Sequence, residues 1–499
     1  MSRYEEESRL PRWGWGGGGG GGDRDSNPPC DGSDADSDPD SDPDMFCCHR
    51  ARDSLLSSER RFASCGGILT WTVVLLVLTH AHLFLENFIQ HGFLVDLRKV
   101  LDHVAEGDCS SPSVRLVLGE RESPRTNRRA PFPTQSPASF LSLSLCPRPS
   151  AGSNVFAVAA LVVERTQDKG KVSPRAGRCL HVGNLVLIAL LPAAVVLKPD
   201  TRISTGGALL SVSIYTILAM KLYSYQETNR WYRQERNGGP GSKGRGSEEG
   251  AETADHLTLG DLYYFLLAPT LCYQKDFPRT PKIRIHFLFQ KLLEMVILTQ
   301  LLVGIVQQWI APIFQRSDTS FTNMDFTARV EHLVELVAPN HFLCLTLFFL
   351  LSHSSLNFSA ELLRFGDRRF YGDWWNADNL KTFWRKWSVP LHRWSHRHLY
   401  TPLVRRRVPA NQAELIAFLV SAGVCEYVVA LPLRTCRLWV FLLMVAELLV
   451  AVIFGRLFAG NCGNGLVWLC LLLGPPLAAT TYFHDHYITD KTPPPWTLR

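Results

Sequence analysis

The 499-residue chain holds 13 cysteines, yet no two of them stand at metal-ligand spacing. Cys146, Cys272, Cys344, Cys425 and Cys470 lie singly in apolar stretches, as packing residues do. Neither a disulfide framework nor a zinc site is expected, and no cofactor motif is present. No basic stripe with interleaved aromatics appears, and a net charge of +6 over this length does not call for nucleic acid. The first residues are acidic, Gly and Ser, so no cleavable signal peptide is expected. No internal repeat appears, which weighs against a multi-span transporter.

What is present is sharply divided. Residues 1–60 combine "GWGGGGGGGD" with "DGSDADSDPDSDPD", a composition that buries too little surface to offset ordering entropy. A disordered cytosolic tail is expected there, with a short C-terminal tail at 491–499. From Gly67 the character changes. "GILTWTVVLLVLTHAHLFLENFI" is long enough to cross a bilayer, because about 20 apolar residues span its core of roughly 30 Å. Comparable runs occur at about 181–197, 207–225, 288–313, 336–357, 412–433, 438–458 and 465–483. A weaker run, "NVFAVAALVV" at 154–163, is too short as written. Counting it, nine spans are expected, in an all-α polytopic membrane protein whose main domain is 61–490.

Lys and Arg crowd the connections after the second, fourth and sixth spans, which places the N-terminus in the cytosol and the C-terminus in the lumen. Residues 106–153 form an anomalous Pro/Ser/Arg-rich insert against the shortened second span. "PASFLSLSLCPRPSAG" has the composition of translated intron, with a genuine lumenal loop as the alternative.

The cytosolic segment 364–407 is too charged to span and too aromatic for an inert loop. Trp374, Trp375, Trp384, Trp387 and Trp394 accompany Arg393, His396, Arg397 and His398. Such residues either anchor a helix at the membrane interface or bind an amphipathic substrate with a phosphorylated head. Acyl-CoA fits the second description.

"FYGDWWN", Phe370 to Asn376, resembles the FYxDWWN signature of the sterol and diacylglycerol acyltransferases, a branch of the membrane-bound O-acyltransferase family. "LFLENFIQHGFLVD" (83–96), "DLYYFLLAPTLCYQKDFPR" (261–279) and "GNCGNGLVWL" (460–469) extend the likeness over about 53–490. The resemblance implies the membrane-bound O-acyltransferase fold, an endoplasmic reticulum membrane location and assembly as a homodimer or homotetramer. It also implies transfer of a fatty acyl group from acyl-CoA to the diacylglycerol hydroxyl, among membrane lipids, giving triacylglycerol. A buried His would act as general base on that hydroxyl.

The same resemblance marks departures. In "SAGVCEYVV" the family carries His where this chain has Cys425, followed by the same Glu, Glu426. Ser388 stands where Asn is usual and Glu447 where Gln is usual; Ala410 and Glu414 replace basic residues. The catalytic set the likeness points to is Cys425, Glu426, Ser388 and Ser421. The acyl-CoA and acceptor set is Phe370, Tyr371, Asp373, Trp374, Trp375, Asn376, Trp384, Trp387, His392, Tyr400 and Glu447. A thiol is a poor proton acceptor near pH 7, and loss of a positioned base typically costs about 10²–10⁴ in rate. A catalytically impaired member that binds acyl-CoA and lipid, or regulates a partner, is therefore the alternative. His353 in "LSHSSLN" reads equally as a cavity residue or a packed one.

Overall fold

The computed structural model describes residues 48–55, 151–198, 205–238, 257–315, 324–435, 437–455, 457–458 and 460–490. The expected first span at 67–89, the body of the 106–153 insert and nearly all of both tails lie outside the described residues. The described chain is helical, with two isolated β-bridges, Arg52 to Asp367 and Arg279 to Phe365. It divides into two compact units.

One unit comprises 96–266, 427–437 and 486–499. Its first helix, α1 (Ala151–Asp168), carries the run expected to be too short, extended to 18 residues. Ser173 opens α2 (Pro174–Leu197) by accepting the Ala176 N–H at 3.2 Å, with Pro at the first helical position where no donor is needed. Next come α3 (Thr205–Gly238) and α4 (Leu259–Leu267). Lys221 of α3 donates to the carbonyls of Phe265 and Leu266 at 3.0 and 2.8 Å, at the C-terminal end of α4. The fully buried Glu164 takes both Arg233 and His181, the latter at 2.8 Å, so its charge is paired.

The other unit comprises 1–95, 267–426 and 438–485. Helix α5 (Ile285–Gly304) runs through a π-turn (Ile305–Ile310) into α6 (Ala311–Gln315). Ile285, Phe289, Leu293, Ile297 and Leu301 recur every four residues and are exposed, a stripe fit for lipid. Helix α7 (Phe326–Phe348) likewise passes through a π-turn (Phe349–Ser355) into α8 (Leu356–Leu362). Ile305, Ile310, Ile313 and Leu336 form a core cluster between α7 and the α5–α6 segment. Short helices α9 (Leu380–Trp387), α10 (Val389–Ser395) and α11 (Thr401–Arg405) follow, with a π-turn (His396–Tyr400) before α11. Helix α12 (Ala410–Ala430) contributes its residues through Glu426 to this unit. Helices α13 (Trp439–Phe454) and α14 (Asn461–Asp490) complete it.

Among the described residues, five helices are long and apolar enough to cross a membrane: Pro174–Leu197, Thr205–Arg236, Ile285–Phe314, Phe326–Leu362 and Ala410–Ala430. They coincide with five of the expected spans. The apolar helices Trp439–Phe454 and Asn461–Gly474 occupy two more, and are shorter.

Candidate functional site

The segment Phe370–Asn376 is extended and then closes in one 3₁₀ turn (Trp374–Asn376). Its backbone is sewn to α9 and α10. The Gly372 N–H donates to the Lys386 carbonyl at 2.7 Å, and the Val389 N–H to the Phe370 carbonyl at 3.0 Å. A Cβ at Gly372 would meet Lys386 Cγ at 3.1 Å, so the two segments pass closely here. Asp373 pairs with Lys386 at 2.9 Å. Trp375 faces the other way, its carbonyl accepting from Asn464 Nδ2 at 3.0 Å and Trp468 Nε1 at 3.2 Å of α14. Asn464 also bonds the Ala377 carbonyl at 2.7 Å. This accounts for two quoted motifs at once: the segment joins the amphipathic helix α9 to the start of α14.

Trp374 is buried at the centre of an aromatic cluster. Its ring centroid lies 5.2 Å from Phe348, 4.9 Å from Trp387, 5.9 Å from Phe383 and 5.9 Å from Trp468. Edge-to-face and tilted pairs of this kind add to the burial of the rings. Trp384 packs on Phe383 and donates to the Glu447 carboxylate, which also lies against Gly474 of α14. Ser388 begins α10 without a side-chain cap bond. One turn on, His392 leads a ladder of rings: His392 to His396 at 6.4 Å and His396 to Tyr400 at 4.9 Å. Burial, then the charges of His396, Arg385, Arg393 and Lys381, hold His392 down to about 3, so it is neutral at physiological pH.

Sequence reasoning weighed His353 and missed its partners. His353 Nδ1 lies 2.8 Å from the Tyr371 hydroxyl, and Nε2 lies 2.8 Å from Lys291 Nζ. Lys291 pairs with Glu294 at 2.8 Å, and Ser354 Oγ donates to Glu294 at 3.0 Å. Tyr371 in turn bonds Ser54 of the N-terminal segment; burial raises its hydroxyl above the ordinary range. The signal was available as a Lys and a Glu three apart in the apolar run 285–304, on one helix face.

On α12 the arrangement is different. Ser421 Oγ bonds back to the Ala417 carbonyl at 2.9 Å. Cys425 is half-buried and, among the described residues, its thiol makes no hydrogen bond, ion pair or disulfide. The Glu426 carboxylate is engaged by the Phe441 N–H at 3.0 Å and by the Tyr482 hydroxyl. The geometry therefore brings Phe370–Asn376, Trp384, Trp387 and Glu447 together, while Glu426 serves the start of α13.

The family model for the membrane-bound O-acyltransferases matches residues 249–484, the region that holds all of these groups except Ser54. The chain is 42% identical to diacylglycerol O-acyltransferase 1 of Bos taurus over 455 residues, 90% of this chain and 86% of that one. The chain belongs to the membrane-bound O-acyltransferase family. The Homo sapiens diacylglycerol O-acyltransferase 1 matches at 42% over 451 residues, with 90% and 86% covered. The Arabidopsis thaliana diacylglycerol O-acyltransferase 1 matches at 31% over 456 residues, with 90% and 79% covered. As a membrane-bound O-acyltransferase family member with five helices of spanning length among its described residues, the chain is a multi-pass membrane protein.

Proposed function

We propose that the chain transfers a fatty acyl group from acyl-CoA to the free hydroxyl of diacylglycerol, releasing triacylglycerol and CoA. The observation that carries this reading is the 42% identity to diacylglycerol O-acyltransferase 1 across 90% of the chain. The chemistry requires the acceptor hydroxyl to lose its proton as its oxygen attacks the thioester carbonyl, and the C–S bond then breaks to free CoA thiol. A water-poor setting protects the thioester from hydrolysis. In this reading the aromatic segment Phe370–Asn376, with Trp384, Trp387, His392, Tyr400 and Glu447, holds the two substrates at the membrane. Ser388, Ser421, Cys425 and Glu426 line the reacting end.

The reading extends to an endoplasmic reticulum membrane protein with a cytosolic N-terminus and a lumenal C-terminus, assembled as a homodimer or homotetramer. A second reading is kept as the alternative. Cys425 stands where the family resemblance implies His, and Glu426 is bound to Phe441 and Tyr482. A chain that binds both substrates and turns over near background, or that regulates a partner, follows from it. Incorporation of radiolabelled oleoyl-CoA by microsomes expressing the chain separates the two. Triacylglycerol above the vector control supports transferase activity. Control-level synthesis with retained acyl-CoA binding supports the second reading.

A further inference from the structure

Cys48 and Cys272 stand far apart in sequence and meet in the same unit, in a buried cluster outside the membrane-spanning helices. Cys48 is 8% exposed and Cys272 1%. Their thiols are hydrogen-bonded to each other. The Arg397 guanidinium reaches Cys48 Sγ at 3.2 Å while donating to the Tyr273 carbonyl at 2.7 Å. His49 spans the same cluster, with Nδ1 3.0 Å from Asp367 and Nε2 3.0 Å from the Cys272 carbonyl. The backbone N–H groups of Cys48 and His49 both donate to Gln274 Oε1, at 3.0 and 2.9 Å. The two cysteines are thus held in register by the groups on either side.

Two thiols buried only for packing would need no cation. Here the Cys272 hydrogen bond, opposed by burial and aided by the charges of His49 and Arg397, holds the Cys48 thiol well below its ordinary range. The Cys272 thiol is pushed the other way, by its bond to Cys48 and by burial. A guanidinium against one sulfur, with a second thiol beside it, is the arrangement of a redox-active pair.

We propose that Cys48 and Cys272 are a reversible oxidation site, closed to an intrachain disulfide by hydrogen peroxide and reopened by a dithiol. The Cys48 thiolate attacks one peroxide oxygen. The O–O bond breaks, hydroxide leaves and takes up a proton, and Cys48 becomes a sulfenic acid. The Cys272 sulfur then attacks the Cys48 sulfur. An S–S bond forms, the S–O bond breaks, and water departs with the Cys272 proton. Two thiols lose two electrons and one peroxide becomes two waters. Dithiol exchange returns both thiols. The closed form ties the N-terminal segment covalently to the 270–277 loop. The same segment carries Ser54, which bonds Tyr371 of the aromatic segment and lies 3.4 Å from Asn357 Nδ2.

The test is peptide mapping by mass spectrometry of the full chain in detergent, treated with hydrogen peroxide, alkylated, and digested with or without dithiothreitol. A Cys48–Cys272 crosslinked peptide within one chain, lost after dithiothreitol, is the expected result. Cys48→Ala and Cys272→Ala, each eluting as the wild type in size exclusion, should both abolish it, and Cys47→Ala should leave it intact. Three results overturn the proposal. Both thiols stay free at a dose that oxidises the exposed Cys462. Cys48 is found joined to Cys47. The link is found only between two chains.

Discussion

The Glu426 carboxylate accepts the backbone N–H of Phe441 at 3.0 Å. Leu438, just before α13, adopts a left-handed backbone (φ 58°) and offers the helix no side-chain cap. The first donors of α13 are met from elsewhere: Trp439 N–H by the Tyr482 hydroxyl at 3.1 Å, Phe441 N–H by Glu426. A carboxylate in an apolar helix is thereby given hydrogen-bond partners and the positive end of a helix dipole.

Glu426→Ala should lower stability by about 1–2 kcal/mol, the range for a lost helix cap, with Glu426→Gln recovering most of it. Thermal unfolding of the two variants in detergent checks this. Equal melting temperatures for Glu426→Ala and the wild type would remove the capping role.

Gly463 stands where a Cβ would lie 2.0 Å from the Asp378 carbonyl oxygen. Backbone cannot yield as a flexible side chain can. Gly463→Ala should cost about 1–3 kcal/mol, as overpacking does, and loosen α14 from the aromatic segment. Proteolysis between Phe370 and Asn376, faster in the variant, is the accompanying readout.

Tyr371 and His353 couple through the 2.8 Å contact between their polar atoms. A double-mutant cycle of Tyr371→Phe and His353→Ala should give an interaction energy of about 1 kcal/mol in thermal unfolding. Strict additivity would contradict the contact. Tyr371→Phe alone keeps the ring against Phe348, 5.2 Å away, so packing is preserved in that arm.

Asp367 carries a pH dependence. Burial opposes its charge, yet Arg393 at 2.5 Å and His49 at 3.0 Å hold the carboxyl down to about 2. The folded value lies below the unfolded one of about 3.9, so the stabilisation is fully present above that value and lost as pH falls toward 2. The melting temperature should drop between pH 4 and pH 2 in the wild type. Asp367→Asn should show a shallower drop from a lower start.

The apolar runs were legible because a bilayer demands continuous length, and five emerged as helices of spanning length. The aromatic segment was legible as a motif, though its tie to Asn464 and Trp468 was not. Hydrogen bonds between residues some ninety positions apart leave no periodic trace. His353 with Lys291, and Cys48 with Cys272, were hidden for the same reason. Glu426 was visible as an unusual carboxylate, but its partners lie on α13 and α14, so only the fold reveals what it holds.

The proposed activity is acyl-CoA-dependent transfer to diacylglycerol, with the thiol at position 425 proposed to slow it. Its most direct test is radiolabelled triacylglycerol formation by microsomes carrying the wild type or Cys425→His, at matched expression. The account predicts weak synthesis by the wild type and a rise of about 10²-fold or more in Cys425→His, as expected for a restored base. No triacylglycerol from either chain would contradict it.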